Sequence, residues 1–154
     1  MPAEASLGEM TRRWPARAPY LAAVLRIVAA FFFLTHGTMK LFDFPPGGHG
    51  PMPLLSQAGF AGVLEVVGGT LLLLGLFTRP VAFVLSGEMA FAYFMAHAPK
   101  GFWPTQNGGE LAALFCFIWL YFSAAGAPVW SLDAWRSSHR PQVRAGRPAY
   151  STLN

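Results

Sequence analysis

Three ionisable residues lie inside long apolar segments of the chain, where such side chains commonly carry chemistry. They are Arg26, Glu65 and Glu88. An ionised group in a bilayer costs about 2.5 kcal/mol or more unless it is paired, so these residues either hold the helices together by polar contacts or mark proton relays, ion paths or ligand sites. The guanidinium fork of arginine serves two carboxylates at once. We therefore predict a buried polar network in which Arg26 pairs with Glu88 and can share Glu65, a protonated Glu65 being the alternative.

A second polar group falls near the other ends of these segments. At a rise of about 1.5 Å per residue, His36, Lys40 and Glu110 reach a similar depth, with Trp103 nearby. A quinone needs hydrogen-bond donors at its carbonyls and an apolar slot for its tail, so these residues form a candidate ligand site. Glu110 also has a structural explanation, because Asn107 and Glu110 have the spacing of a capping box.

His97 is a further candidate, as a partner of Glu88 or as a haem ligand with His36. Nine residues separate it from Glu88, so an ideal helix turns it about 180° away unless the helix unwinds before Pro99. This geometry argues against both pairings. No metal site or nucleotide-binding motif is recognised, and the catalytic residues stay unassigned.

The composition is typical of a membrane protein. Of the 154 residues, 54% are hydrophobic and 12% are charged, whereas soluble domains have about 25% charged residues. The single cysteine, Cys116, lies in an apolar run, so a disulfide framework is excluded. The net charge of +4 arises mostly from residues that flank apolar segments, which indicates membrane topology and argues against nucleic-acid binding.

Four apolar segments predict four transmembrane helices, because about 20 residues cross the hydrocarbon core. The expected segments are 20–42, 59–77, 81–98 and 107–125, and a tight turn at Thr78–Pro80 joins the second to the third. Short connections favour an all-α, membrane-embedded, up-down four-helix bundle.

The arginines predict the orientation of this bundle. With both termini in the cytoplasm, one side receives Arg12, Arg13, Arg17, Arg79, Arg136, Arg140, Arg144 and Arg147, and the other Lys40 and Lys100. The positive-inside rule favours this N-in, C-in arrangement. Residues 1–19 are then a cytoplasmic N-terminal tail, 20–135 the transmembrane domain, and 136–154 a basic, disordered cytoplasmic tail.

Several short motifs together resemble the DoxX family of small four-helix membrane proteins. In chain order they are Leu25-Arg26, His36-Gly37-x-x-Lys40, Leu64-Glu65-x-x-Gly68-Gly69, Gly75-Leu76-Phe77-Thr78-Arg79, Asn107-Gly108-Gly109-Glu110 and Ser131-Leu132-Asp133. The resemblance covers about residues 20–135 and rests on the order and spacing of the motifs.

The resemblance implies a multi-pass protein of the bacterial inner membrane, from a family associated with oxidoreductases and quinones. We expect a membrane partner or quinone-interacting subunit in redox and oxidative-stress homeostasis. No cofactor motif is identified, and a quinone or another lipophilic ligand is the candidate. Its partners would be the lipid bilayer, a redox protein and further copies of itself. The alternative is a small proton or solute transporter that uses the buried Arg26, Glu65 and Glu88.

Overall fold

The chain is built from α-helices throughout the part that the structure describes. This structure is a computed structural model that describes residues 3–47 and 50–139, with side chains from residue 15 onward. The helices are α1 (Ala3–Phe42), α2 (Gln57–Leu74), α3 (Thr78–Ala92), α4 (Pro104–Asn107), α5 (Glu110–Ala125) and α6 (Leu132–Ser138). No strand occurs in these ranges, so the all-α prediction is confirmed.

Within the described residues, three helical segments are long and apolar enough to cross a membrane. They are Pro15–Phe42, Gln57–Leu74 and Thr78–Lys100. The third includes α3, a π-helical turn (Tyr93–His97) and a 3-10 turn (Ala98–Lys100). Helix α5 is apolar but has 16 residues, which reach about 24 Å at 1.5 Å per residue. The helices therefore have the composition and length of a membrane protein.

Helix α1 begins much earlier than the sequence predicts. It starts at Ala3 instead of Tyr20 and passes through Pro15 and Pro19. A proline keeps a helical φ and removes one backbone donor, so a helix can continue through it at a cost in stability. Part of the predicted N-terminal tail is thus helical, while most of the predicted C-terminal tail, 140–154, lies outside the described residues.

The helices alternate in direction between two ends of the molecule. The hairpin end contains the α2–α3 turn and α6, and the loop end contains residues 43–47, 50–56 and 98–109. Helix α1 packs along α2, and α3 packs along α5. Gly37 permits the first contact, since a Cβ there would lie 2.8 Å from the Val66 amide nitrogen.

Aromatic side chains close the core between α1 and α5. The ring of Phe33 on α1 lies edge to face against Phe115 and Trp119 of α5, with centroids 5.3 and 5.4 Å apart. Phe33 and Trp119 are fully buried. Helices α1 and α5 are therefore joined by side-chain contacts more than by a close approach of their backbones.

The α2–α3 turn is tight because α2 ends in a Schellman motif. Gly75 has a φ of 65°, and its amide donates to the Leu72 carbonyl while the Leu76 amide donates to that of Leu71. A left-handed residue at this place is usually glycine. The turn leaves the last carbonyls of α2 facing α1 and α6.

Candidate ligand-binding site

Arg26 is fully buried at the hairpin end, but it does not pair with either glutamate. Its Nη1 donates to the carbonyls of Leu72 and Leu73, the second at 2.9 Å, and its Nη2 donates to the Trp130 carbonyl at 2.6 Å. A cation at a helix C-terminus satisfies free carbonyls and complements the helix dipole. The predicted Arg26–Glu88–Glu65 network is therefore wrong, because the end of α2 provides the acceptors.

Asp133 of α6 caps the other side of the same turn. Its carboxylate oxygens accept hydrogen bonds from the Phe77 amide at 2.9 Å and the Thr78 amide at 2.8 Å. Burial opposes ionisation of Asp133, but these amide hydrogen bonds and nearby Arg136 together hold its pKa below the ordinary value of 3.8. The Ser131-Leu132-Asp133 motif thus fastens α6 to the start of α3.

At the centre of the molecule, Glu65 pairs with Lys40. The Lys40 Nζ lies 2.6 Å from Glu65 Oε1, and the two side chains are 32% and 3% exposed. Lys40 lies in the last turn of α1, and its long side chain reaches Glu65 on α2. The ion pair therefore joins Glu65 of the predicted buried network to Lys40 of the predicted ligand site, two groups that the sequence analysis treated as separate.

Glu88 lies beside this pair without a hydrogen-bond partner. Both of its carboxylate oxygens are buried and bond to none of the described residues, and the same is true of Glu65 Oε2. The neighbours of Glu88 on α3, Met89 and Ala92, line the same cavity as Glu65 and Lys40. Lys40, and not Arg26, is therefore the cation that the structure pairs with Glu65, and Glu88 is bound to no cation among the described residues.

A π-helical turn brings His97 to the inside of the molecule. The turn spans Tyr93–His97, and one extra residue rotates the following chain by about 100° relative to an α-helix. His97 Nδ1 lies 3.2 Å from the Asn107 carbonyl. A carbonyl only accepts, so Nδ1 donates and Nε2 is left as an acceptor in the neutral ring. The helix thus unwinds before Pro99, which is the exception that the sequence left open for His97.

Lys40, Glu65 and His97 line a cavity of about 230 Å³ at the loop end. Its polar wall contains His36, Lys40, Glu65 and His97. Its apolar and small-residue wall contains Phe33, Met89, Ala92, Gly108, Leu111, Ala112 and Phe115. The ring of His36 lies edge to face against Phe115, with centroids 6.3 Å apart. Apolar walls with a few converging polar groups are typical of small-molecule sites.

Two residues of the predicted ligand site, Glu110 and Trp103, lie outside this cavity. Glu110 is exposed at the start of α5, and the side chain of Trp103 is 61% exposed. Neither lines the cavity. The capping-box prediction is also wrong: Gly109 occupies the N-cap position, and buried Asn107 binds the Gly109 amide and the Gly101 carbonyl instead. The short helix α4 displaces Asn107 from the start of α5.

The cavity suits a single small ring better than a large prosthetic group. Pockets that enclose drug-sized molecules measure about 300–1,000 Å³, and this cavity is smaller. His36 and His97 both line it, yet a porphyrin exceeds its volume. Within residues 15–47 and 50–139, no three His, Cys, Asp or Glu side chains converge as a metal site would require.

A wider depression of about 690 Å³ opens at the hairpin end, beside Arg79, Asp133 and Arg136. Two of its charged side chains are already engaged, because Asp133 binds two amides and the Arg136 guanidinium lies 5.0 Å from the centre of the Phe77 ring. The smaller cavity, with its lysine and histidines, is therefore the stronger candidate site despite its size.

Comparison with known proteins gives a consistent family assignment. The sequence model of the DoxX family matches residues 21–98. An uncharacterized protein of Haemophilus influenzae is 52% identical over 123 residues, which cover 75% of this chain and 90% of that protein. An uncharacterized membrane protein of Mycobacterium tuberculosis is 31% identical over 149 residues, which cover 82% and 90%. No solved structure matches this chain.

Proposed function

Since the chain belongs to the DoxX family, we propose that this membrane protein binds the polar head of a lipophilic molecule, a quinone, in its loop-end cavity. In this proposal α5 crosses the bilayer as a fourth helix, and the four form an up-down bundle in the bacterial inner membrane. Both termini lie in the cytoplasm, so the cavity lies near the outer surface. The protein serves redox homeostasis as a binding subunit, and electrons come from a partner protein.

The observation that carries this proposal is the set of donors beside aromatic walls. The Lys40 ammonium has three donors, and one of them is directed at Glu65 Oε1. His36 offers a ring nitrogen on the same side of the cavity. Quinone carbonyls accept hydrogen bonds, and the rings of Phe33 and Phe115 give apolar walls for the head group. The chemistry of the cavity thus fits an acceptor ring.

A tail would leave the cavity between α1 and α5. Leu111 lines the cavity and is also 54% exposed on the outer face of α5. Lys40 and Gly108 lie at the same mouth and are partly or largely exposed. An amphiphile could therefore place its head among the polar groups and its tail against Leu111 and the lipid.

The test is binding of a decyl-tailed benzoquinone to the purified protein in lipid nanodiscs. Bound quinone is extracted from the immobilised discs, with empty discs as the blank. We expect saturable binding by the natural sequence. Replacing His36→Ala should weaken it about tenfold, since one lost hydrogen bond costs roughly 1.4 kcal/mol. Leu111→Trp should weaken it further by filling the mouth.

Two variants at neighbouring positions serve as matched controls. Glu110→Gln changes an exposed carboxylate outside the cavity, and Leu114→Trp adds the same bulk to the lipid-facing side of α5. Both should bind as the natural sequence does. The proposal is overturned by quinone retention no higher than in empty discs, or by equal losses in the cavity variants and the controls.

Transport along the buried charges is the other function that the sequence suggested. Its path would use Arg26, Glu88, Glu65 and the outer group. Arg26 is held by three carbonyls, and Glu110 lies outside the cavity. These contacts favour binding over conduction. Proton flux into reconstituted vesicles above that of empty liposomes would reverse this preference. An assembly of several copies, which conduction would need, likewise remains a proposal.

A further inference from the structure

Two buried carboxyl groups lie in the middle of the molecule, and only Glu65 is paired with a lysine among the described residues. Lys40 Nζ contacts Glu65 Oε1 at 2.6 Å, while Glu65 Oε2 and both oxygens of Glu88 bond to none of the described residues. Glu65 is 2% exposed. Glu88 directly precedes Met89 and lies one helical turn before Ala92, and both of these residues line the same cavity as Lys40 and Glu65. If all three were ionised, the group would carry a net negative charge away from water.

The neighbouring titratable groups do not supply the missing positive charge. Helix α1 contributes His36 and Lys40, α2 contributes Glu65, and α3 with its π-helical turn contributes Glu88 and His97. The wall formed by α5 has Leu111, Ala112 and Phe115, none of them charged. Arg26 is engaged with carbonyls at the hairpin end. Among the described side chains, Lys40 is therefore the permanent cation of this group.

We propose that the Lys40–Glu65–Glu88 group holds one exchangeable proton, carried by Glu88. A neutral carboxyl removes the repulsion between Glu65 and Glu88, and its burial costs far less than that of an unpaired carboxylate. The proton comes from water and returns to it through the loop-end mouth, where Lys40 is partly exposed. This site requires no ligand, so it stands apart from the proposed quinone binding.

The test is infrared spectroscopy of the ligand-free protein in nanodiscs at pH 7. A protonated carboxyl has a C=O stretching band that shifts when its hydrogen is replaced by deuterium. We expect one such band in the natural protein, and its intensity should correspond to one protonated carboxyl group per chain. Glu88→Gln should remove it, and Glu110→Gln, which alters an exposed carboxylate, should leave it unchanged.

Lys40→Met tests the balance of charge itself. Without the ammonium, Glu65 should also bind a proton, and the band should increase about twofold.

Thermal unfolding gives an independent measure, because glutamine resembles a neutral glutamic acid in shape. Glu88→Gln should therefore unfold at the same temperature as the natural protein or higher, whereas Glu65→Gln, which breaks an ion pair, should unfold at a lower one.

Three results would overturn the proposal. They are the absence of a protonated carboxyl band in the natural protein, a band that persists in Glu88→Gln, and an unfolding temperature that falls as much in Glu88→Gln as in Glu65→Gln. Failure of quinone binding would leave these spectra unchanged, so the two proposals can be judged separately.

Discussion

Arg26 shows how a buried charge can be satisfied without an opposite charge. Its guanidinium binds the carbonyls of Leu72, Leu73 and Trp130, which belong to α2 and to the segment before α6. The Leu72 and Leu73 carbonyls carry the negative end of the α2 dipole, and with the Trp130 carbonyl they substitute for a carboxylate. The arginine therefore fastens three segments together at the hairpin end and leaves Glu65 for Lys40.

We predict that Arg26→Lys lowers the stability of the protein. An ammonium cannot reproduce the planar fork, so at least one carbonyl loses its donor at a cost of about 1.5–3 kcal/mol. For a chain of this size such a loss lowers the melting temperature by about 5–10 °C. The measurement is thermal unfolding in detergent, followed by tryptophan fluorescence.

Arg17→Lys is the matched control, because Arg17 lies on the same helix and is exposed. Its melting temperature should stay within about 2 °C of that of the natural protein, as expected for a surface substitution. Equal melting temperatures for Arg26→Lys and Arg17→Lys would contradict the role given to the Arg26 hydrogen bonds.

At the scale of elements, α6 caps a helix that lies far from it in sequence. Helix α3 begins after Phe77, which has a φ of 50°. The side chain of this N-cap residue makes no hydrogen bond to the first amides of the helix. Asp133 supplies both acceptors from α6, and the Asp133 amide donates to the Gly75 carbonyl at 2.9 Å. The short C-terminal helix is thus part of the fold of the α2–α3 hairpin.

We predict that Asp133→Ala destabilises the protein in a pH-dependent way. Loss of a helix N-cap costs about 1 kcal/mol. Because the folded pKa of Asp133 lies below 3.8, the stabilisation is complete above that pH and is lost as the pH falls through the folded value. The difference in melting temperature between the variant and the natural protein should therefore shrink below pH 3.8.

Ser138→Ala, an exposed change on the same short helix, is the control and should match the natural protein at each pH. Asp133→Asn should be intermediate near neutral pH, because its amide oxygen still accepts one hydrogen bond. A difference between Asp133→Ala and the natural protein that stays constant down to pH 3 would refute the role of the ionised carboxylate.

At the scale of the whole molecule, helix length and packing bear on how the helices cross the bilayer. In the described part of the chain, three segments have the length and hydropathy of spanning helices, and α5 is shorter. Helix α5 nevertheless packs along α3 and contributes Phe115, Trp119 and Phe122 to the core. A helix that shares the core with three spanning segments is well placed to cross with them.

We predict that both termini lie in the cytoplasm. A green fluorescent protein fused to either terminus should fluoresce, since this reporter becomes fluorescent only in the cytoplasm. Alkaline phosphatase fused after Gly101 should be active, since that position would then lie outside. The reason is the excess of arginine at the hairpin end, including Arg79 and Arg136. Fusion of either reporter within the α2–α3 turn gives an internal reference for the cytoplasmic side.

Active alkaline phosphatase at the C-terminus would contradict four crossings and would indicate that α5 does not traverse the bilayer. Active phosphatase at the turn would contradict the orientation. These outcomes differ from each other, so the number of crossings and the direction are determined separately.

The sequence by itself determined the class of protein and the approximate helices. Apolar runs of membrane-spanning length predict helices because the backbone must satisfy its hydrogen bonds internally in lipid. Gly75, Pro80, Gly126 and Pro128 then mark the places where helices stop or start. Burial of Arg26 and Glu65 also followed, since both lie in the middle of such runs. The family resemblance came from the same local motifs.

Only the tertiary structure decided the partners of these charges. Arg26 binds carbonyls because α2 ends beside it, and Lys40 reaches Glu65 because α1 and α2 pack closely at Gly37. His97 faces inward because of a π-helical turn that ideal helix geometry does not contain. Such pairings depend on rotation and depth of whole helices, and periodicity along one segment cannot specify how two segments are aligned.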